Sequence, residues 1–311
     1  MIEVHELTKR YASTLAVDRM SFRVRPGHVT GFLGPNGAGK STTLRMILGL
    51  DAPTSGEVLV NDGRYVSLVR PLRQVGALLD ANAVHGGRSA ADHLLCIAQS
   101  NGIGRGRVRE VLQIAGIDQV ARKRVGGFSL GMKQRLGIAA ALLGDPAVLI
   151  FDEPVNGLDP DGIQWIRGLL SALAGEGRTV FVASHLMSEM AITADRVIVI
   201  GRGKLIADAS VAEFVRSGSP GDVLVRSPRA ADLARLLTDQ HAVVITEPAG
   251  GLAVSGLDAP AISKTAAAHD IPVYELTTRR PTLEAAYMEL VDGTAQYHAD
   301  AAGRAGRGGR P

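Results

Sequence analysis

The chain has 311 residues, enough for one large domain plus a small one or for two medium ones, and 46% hydrophobic with 21% charged residues is an ordinary globular balance. A formal net charge of only +3 argues against a nucleic-acid partner, which calls for far more concentrated positive charge. The single cysteine, Cys96, excludes an intrachain disulfide and reads as a small buried apolar residue on a helix.

Met1 to Glu6 lacks the charged-then-apolar pattern of a secretory signal. No apolar run approaches the roughly 20 residues of a bilayer span. The longest candidate, Gly137 to Phe151, is broken by Asp145-Pro146. The expectation is a cytoplasmic chain that another protein must hold at any membrane where it works.

In chain order, His28 to Leu33 predicts a buried strand, a glycine-rich loop follows, and Lys40 to Leu50 predicts a helix. Residues 86–145 hold no good strand and several helical stretches. The capping-box pattern Ser89-Ala90-Ala91-Asp92 opens the first, and Arg107 to Ala115 and Met132 to Leu143 are two more. Ala147 to Phe151, Thr179 to Ala183 and Arg196 to Ile200 are continuous apolar runs, as strands covered on both faces require. Between them lie helical patterns at Asp161 to Ala174 and Leu186 to Ala194. This alternation predicts a mostly parallel α/β core over residues 1–216, with a helical insertion.

Ser217-Gly218-Ser219-Pro220-Gly221 reads as a linker. Beyond it the pattern is strand (Asp222 to Arg226), helix (Ala230 to Thr238), strand (Ala242 to Thr246), strand (Leu252 to Ser255), helix (Ala259 to His269) and strand (Pro272 to Leu276). That order predicts a small α+β, ferredoxin-like domain over residues 217–292. A last helix is expected over Thr282 to Val291, and residues 293–311 read as a disordered Arg/Gly tail with too few apolar groups to fold alone.

Gly34-Pro35-Asn36-Gly37-Ala38-Gly39-Lys40-Ser41 matches the P-loop pattern, with the strand before and the helix after that the pattern requires. Glycines let backbone N–H groups turn inward around phosphates, and a helix start adds its positive dipole end. Lys40 supplies a point charge for the β- and γ-phosphates, Ser41 a hydroxyl for Mg²⁺, and Thr42 continues the phosphate-binding turn. The expected ligands are ATP and Mg²⁺.

A second signature distinguishes among P-loop proteins. Phe128-Ser129-Leu130-Gly131-Met132-Lys133-Gln134-Arg135 precedes Ala147 to Phe151 with Asp152-Glu153-Pro154, then Asn156-Gly157-Leu158-Asp159-Pro160 and Ala183-Ser184-His185. This series resembles the ATP-binding subunit of ABC transporters over residues 2–216. The C-terminal part, including Pro281 to Met288, is similar to the ABC-2 exporter branch. Leu130 and Met132 depart from the usual Leu-Ser-Gly-Gly-Gln signature, as they do in that branch.

The resemblance implies a P-loop NTPase core and a role for each matched residue. Tyr11, by itself an ordinary edge-strand residue, would stack on adenine. Asp152 would hold Mg²⁺ directly or through water, and Glu153 would be the general base. His185 would contact the γ-phosphate, and Asp159 would sit at a dimer junction. Asp80 stands where the family has a Gln that touches the metal. Ser129 and Gly131 would act in trans on the nucleotide of a second copy. The implied function is the ATP-hydrolysing motor of a membrane exporter, a head-to-tail homodimer on the inner face of the membrane, driving a separate ABC-2 permease subunit. A soluble relative acting on ribosomes or nucleic acid is the alternative, opposed by the near-neutral charge, the single cassette and the absence of a heptad run. A small-molecule kinase is a third reading, opposed by the second signature.

Overall fold

The computed structural model describes residues 1–217, 221–247, 250–279, 282–288 and 290. The chain divides into two compact units, Met1–Val211 and the residues from Ala212 onward.

The first unit opens with β1 (Ile2–Tyr11), β2 (Thr14–Val24) and β3 (Val29–Leu33), followed by α1 (Lys40–Ile47), β4 (Ser55–Val60) and β5 (Val75–Leu78). Then come α2 (Ala90–Ser100), α3 (Arg105–Ile114), α4 (Leu130–Leu142), β6 (Val148–Asp152), α5 (Pro160–Gly175) and β7 (Thr179–Ser184). It closes with α6 (Met187–Thr193), β8 (Arg196–Gly201) and β9 (Lys204–Ser210), and α7 (Val211–Ser217) stands at the division. Six strands form a sheet in the order β5-β6-β7-β3-β8-β9, parallel except for β9. All five residues of β3 are buried, as the uninterrupted apolar run requires in a sheet covered on both faces.

A separate antiparallel sheet, β2-β1-β4, packs against this one. Phe22 on β2, Phe32 on β3 and Phe181 on β7 join the two, with ring centroids 5.2–6.0 Å apart. The sequence reading, mostly parallel, did not foresee this second sheet. Its register shifts between Val4 and Leu7 and again between Leu7 and Lys9, which interrupts the two-residue alternation that would announce a strand.

Several element ends differ from expectation. α1 stops at Ile47, short of Leu50, because the amides of Leu48, Gly49 and Leu50 turn back onto the carbonyls of Leu44, Met46 and Arg45. α4 starts at Leu130 rather than Met132, with Ser129 as its cap. The expected cap at Ser89 forms: its hydroxyl accepts from the Asp92 amide at 3.1 Å and donates to the Asp92 carboxylate at 2.6 Å. Cys96 lies on α2 as expected but is exposed, a correction. That helix buries the stripe Ala90, Leu94 and Ala98, and Cys96 falls on the other side.

In the second unit, β10 (Val223–Arg226), α8 (Ala230–Asp239), β11 (Val243–Glu247), β12 (Gly251–Ser255), α9 (Ala259–Ala268) and β13 (Glu275–Thr278) follow the expected order. The sheet is antiparallel in the order β11-β12-β10-β13, the ferredoxin-like arrangement. Its core joins Val223 and Val225 to Leu233 and Leu237 of α8 and Ile262 and Ala266 of α9. β13 begins at Glu275, three residues beyond Pro272, which has no N–H to give to a ladder. Residues 283–288 are helical. Residue 290 is helical too; residues 289 and 291 of the helix expected to Val291, residues 218–220 of the linker and the tail over 293–311 lie outside the described residues.

Candidate functional site

The parallel sheet brings the chemistry to one place. β3, β6 and β7 run side by side, with Leu33 paired to Ser184 and Asp152 to Ala183, so the residues after their carboxyl ends meet. After β3 comes the loop Gly34 to Gly39, after β6 the pair Asp152-Glu153, and after β7 His185. A cavity there is lined by Asn36, Gly37, Gly39, Lys40, Ser41 and Thr42 of the loop and α1, by Asp152 and Glu153, and by Ala16 and Leu79.

Gly39 caps α1 with a left-handed φ of +106°, and a Cβ there would lie 2.6 Å from the Ala16 carbonyl oxygen. Glycine is required on both counts. Pro35 accepts from the Ala38 amide at 3.1 Å, and Ala38 is buried, so the loop is internally braced. Lys40 is only 6% exposed. Its ammonium donates to the carbonyls of Gly34 at 2.6 Å and Pro35 at 3.3 Å, and lies 3.9 Å from Glu153 Oε1. Burial pulls its pKa below the ordinary lysine value, against the opposing pull of Glu153 and Asp152. This cation has shed water and holds only carbonyls and a distant carboxylate, a setting that suits a phosphate.

Ser41 donates its hydroxyl to Asp152 Oδ2 at 2.7 Å. The other oxygen, Oδ1, is buried with no hydrogen-bond partner. Burial raises the Asp152 carboxyl above the usual range and Glu153 adds to this, while Ser41 and Lys40 oppose it. A hydroxyl and an under-satisfied carboxylate facing one cavity fit Mg²⁺, which takes one or two protein oxygens and completes its octahedron with phosphates and water. Among the described residues no group of three or more His, Cys, Asp or Glu could form a metal cage, in keeping with such a shared site.

Glu153 has the left-handed φ of +49°, unusual for a non-glycine residue. Its Oε1 accepts from the His185 amide at 3.0 Å and meets His185 Nδ1 at 2.8 Å. Its Oε2 accepts from the Ser184 hydroxyl at 3.3 Å. Ser184 and Gln134, whose Nε2 donates to the Glu153 carbonyl at 2.9 Å, were given no role by the sequence reading. Ser184 could have been suspected from its place before His185, whereas Gln134 is 19 residues from its partner.

The other candidates lie outside this cavity. The Tyr11 ring is 45% exposed, its hydroxyl donates to Asp51 at 3.1 Å, and the Lys9 ammonium stands 4.9 Å from its centroid. Asp80 is exposed, and its carboxylate accepts from the Asn82 amide at 2.8 Å, closing a turn. Ser129 caps α4 by accepting from the Met132 amide at 3.2 Å, and Asp159 caps α5 by accepting from the Gly162 amide at 2.9 Å. These two helix tips touch: a Cβ on Gly131 would lie 2.7 Å from the Gly157 carbonyl oxygen, and one on Gly157 would lie 2.5 Å from the Leu130 side chain. Gly157→Ala also forces a side chain onto a φ of +76°. It is expected to cost about 1–3 kcal/mol. In a thermal melt the midpoint should fall by several degrees, and an unchanged midpoint would show that the two tips are not in contact.

The sheet, the braced loop and the acidic strand end define a P-loop nucleotide-binding cassette. Comparison with known proteins gives the family. Residues 17–156 match the family described as ABC transporter, and residues 221–284 match a domain family of unknown function. A family described as AAA domain, putative AbiEii toxin, Type IV TA system, matches residues 124–191 within the same cassette. The chain is 44% identical to the bacitracin transport ATP-binding protein BcrA of Bacillus licheniformis over 67% of its own length and 69% of that protein's. It is 33% identical to the uncharacterized ABC transporter ATP-binding protein YhcH of Bacillus subtilis, over 95% of its own length and 97% of that protein's. Among solved structures, the dimeric ATP-binding cassette MJ0796 bound to ADP and Pi superposes with a TM-score of 0.61 at 25% identity, over 68% of this chain and 99% of that one. The chain belongs to the ABC transporter family. It is an ATP-binding subunit, an ATPase whose hydrolysis is coupled to transport. No helix among the described residues is long and apolar enough to cross a membrane.

Proposed function

We propose that this chain is the ATP-hydrolysing motor of an ABC-2 type exporter, working as a head-to-tail homodimer on the inner face of the membrane beside a separate permease subunit. One observation carries the reading. The cavity is lined by the loop and the acidic pair, with His185 bonded to Glu153 beside it, while the capped helix tip bearing Ser129 and Gly131 does not line it. A single chain therefore offers two halves of different sites, and a second copy completes each.

In this reading Lys40 and the loop amides bind the β- and γ-phosphates of ATP, and the Tyr11 ring stacks on adenine. Ser41 and Asp152 would hold Mg²⁺, and Asp80 would be a further contact to it. The ion, when bound, draws charge from the phosphate oxygens. Glu153 takes a proton from the attacking water, and His185 bonds both to Glu153 and to the γ-phosphate. Ser129 and Gly131 present a helix N-terminus to the partner's γ-phosphate. Asp159, on the adjoining tip, contacts the partner at the junction. In this reading residues 1–216 are the cassette, and the small domain assigned to 217–292 either regulates it or stabilises the dimer.

The exporter assignment is supported by the resemblance of the C-terminal part and by the similarity to a bacitracin transport protein, which makes an antibiotic-like peptide a reasonable cargo class. The ribosome- or nucleic-acid-acting alternative finds no support among these relatives. Coexpression with the membrane protein encoded beside it should bring the chain into the membrane fraction, and recovery only in the soluble fraction with that protein present would count against the exporter reading. For the metal, Ser41→Ala should raise the half-saturating Mg²⁺ concentration of hydrolysis by roughly tenfold or more. An unchanged Mg²⁺ titration would remove Ser41 from the ligand set.

A further inference from the structure

Glu153 is gripped twice. His185 and Ser184 hold its carboxylate, and a different pair holds its backbone. The Glu153 amide donates to the Ala183 carbonyl at 2.9 Å, and the Glu153 carbonyl accepts from Gln134 Nε2, also at 2.9 Å. Between these two bonds sits the left-handed φ of +49°. A non-glycine residue pays about 1–3 kcal/mol for that conformation and keeps it only where its surroundings enforce it.

Gln134 is the enforcing group from the α4 side. It is 4% exposed, and its Oε1 is buried with no hydrogen-bond partner. A leucine or methionine would fill the same space without leaving a buried polar atom unmatched, so packing alone does not call for an amide. The helix that carries it is anchored. The next residue, Arg135, donates to the Ala115 carbonyl at 3.0 Å and stands 4.2 Å from the centre of the Trp165 ring on α5.

We infer that Gln134 is a positioning residue for ATP hydrolysis: its amide N–H fixes the carbonyl of Glu153, and with it the strained backbone that aims the carboxylate beside Lys40 into the nucleotide cavity. The inference rests on Glu153 being the general base. It has a consequence for the dimer. α4 begins at the tip offered to the partner's nucleotide and, further along, holds the chain's own base, so one rigid helix ties the two half-sites together.

The test uses Gln134→Met, which keeps the length and removes the donor, and Gln134→Leu, which also removes the donor. Phosphate release gives kcat and KM, equilibrium binding gives the ATP dissociation constant, and a thermal melt reports folding. In either variant kcat should fall on the order of 10- to 100-fold, the cost of a misplaced reacting group. ATP affinity should stay within about twofold and the melting temperature close to that of the unaltered chain. In a Glu153→Gln background, Gln134→Met should leave the residual rate unchanged, because the group it positions has gone. If Gln134→Met does not fold, Gln134→Leu carries the same test. An unchanged kcat overturns the inference, and so does a parallel fall of affinity and melting temperature, or a further loss of rate in the Glu153→Gln background. Normal hydrolysis by Glu153→Gln alone would instead sink the general-base reading on which this one rests.

Discussion

Replacing Glu153 by glutamine is expected to lower ATP turnover by about 10²- to 10⁴-fold, the usual contribution of a positioned general base. The amide keeps the size of the side chain and an oxygen that can accept from the His185 amide, now at 3.0 Å from Oε1. What it loses is the ability to take a proton from water. It also removes a negative charge 3.9 Å from Lys40 and next to the half-buried Asp152. ATP affinity should therefore be retained or slightly raised. Phosphate release and equilibrium nucleotide binding, measured side by side, separate the two effects. Turnover near that of the unaltered chain would take Glu153 out of the chemistry.

Lys40→Ala should act at the other step. The ammonium is buried and held by two loop carbonyls, and the bound phosphates would take over those bonds. Truncating one partner of a desolvated charge pair costs about 2–5 kcal/mol, so the dissociation constant for ATP should rise roughly 30-fold or more. Loss of folding can be told apart from loss of binding. Burial disfavours the charged form of Lys40 in the nucleotide-free fold, and a thermal melt run beside the binding measurement shows whether the variant is folded. Tight ATP binding by this variant would contradict the assignment.

The parts of the site that were legible in the sequence are those whose chemistry is local. Gly34 to Ser41 fall within one turn between a strand and a helix, so residue type and spacing suffice. Asp152-Glu153 end an apolar run, where two adjacent carboxylates are costly unless a cation or a water uses them. The second unit was legible because its strands and helices are short, distinct and in an order that admits few topologies, and β13 moved only because Pro272 cannot pair.

The parts not foreseen depend on long-range contacts. The β2-β1-β4 sheet has an irregular register that blurs its alternation. The bond from Gln134 to Glu153 and the left-handed turn it accompanies leave no trace in spacing. Cys96 was assigned to a buried face by residue type, whereas the stripe of Ala90, Leu94 and Ala98 decides which side of α2 is covered. Asp80 was placed by position relative to a strand, and the structure engages its carboxylate with the Asn82 amide.

The claim that two copies complete each other's sites is tested most directly by the molar mass of Glu153→Gln in solution, measured by light scattering with and without Mg-ATP. The single chain is 32.6 kDa. Saturating Mg-ATP should double the observed mass, and adding Ser129→Arg, which puts a bulky side chain on the tip of α4, should hold it at the single-chain value while ATP still binds. A mass that stays at one chain with ATP bound, or a dimer indifferent to Ser129→Arg, would contradict the account.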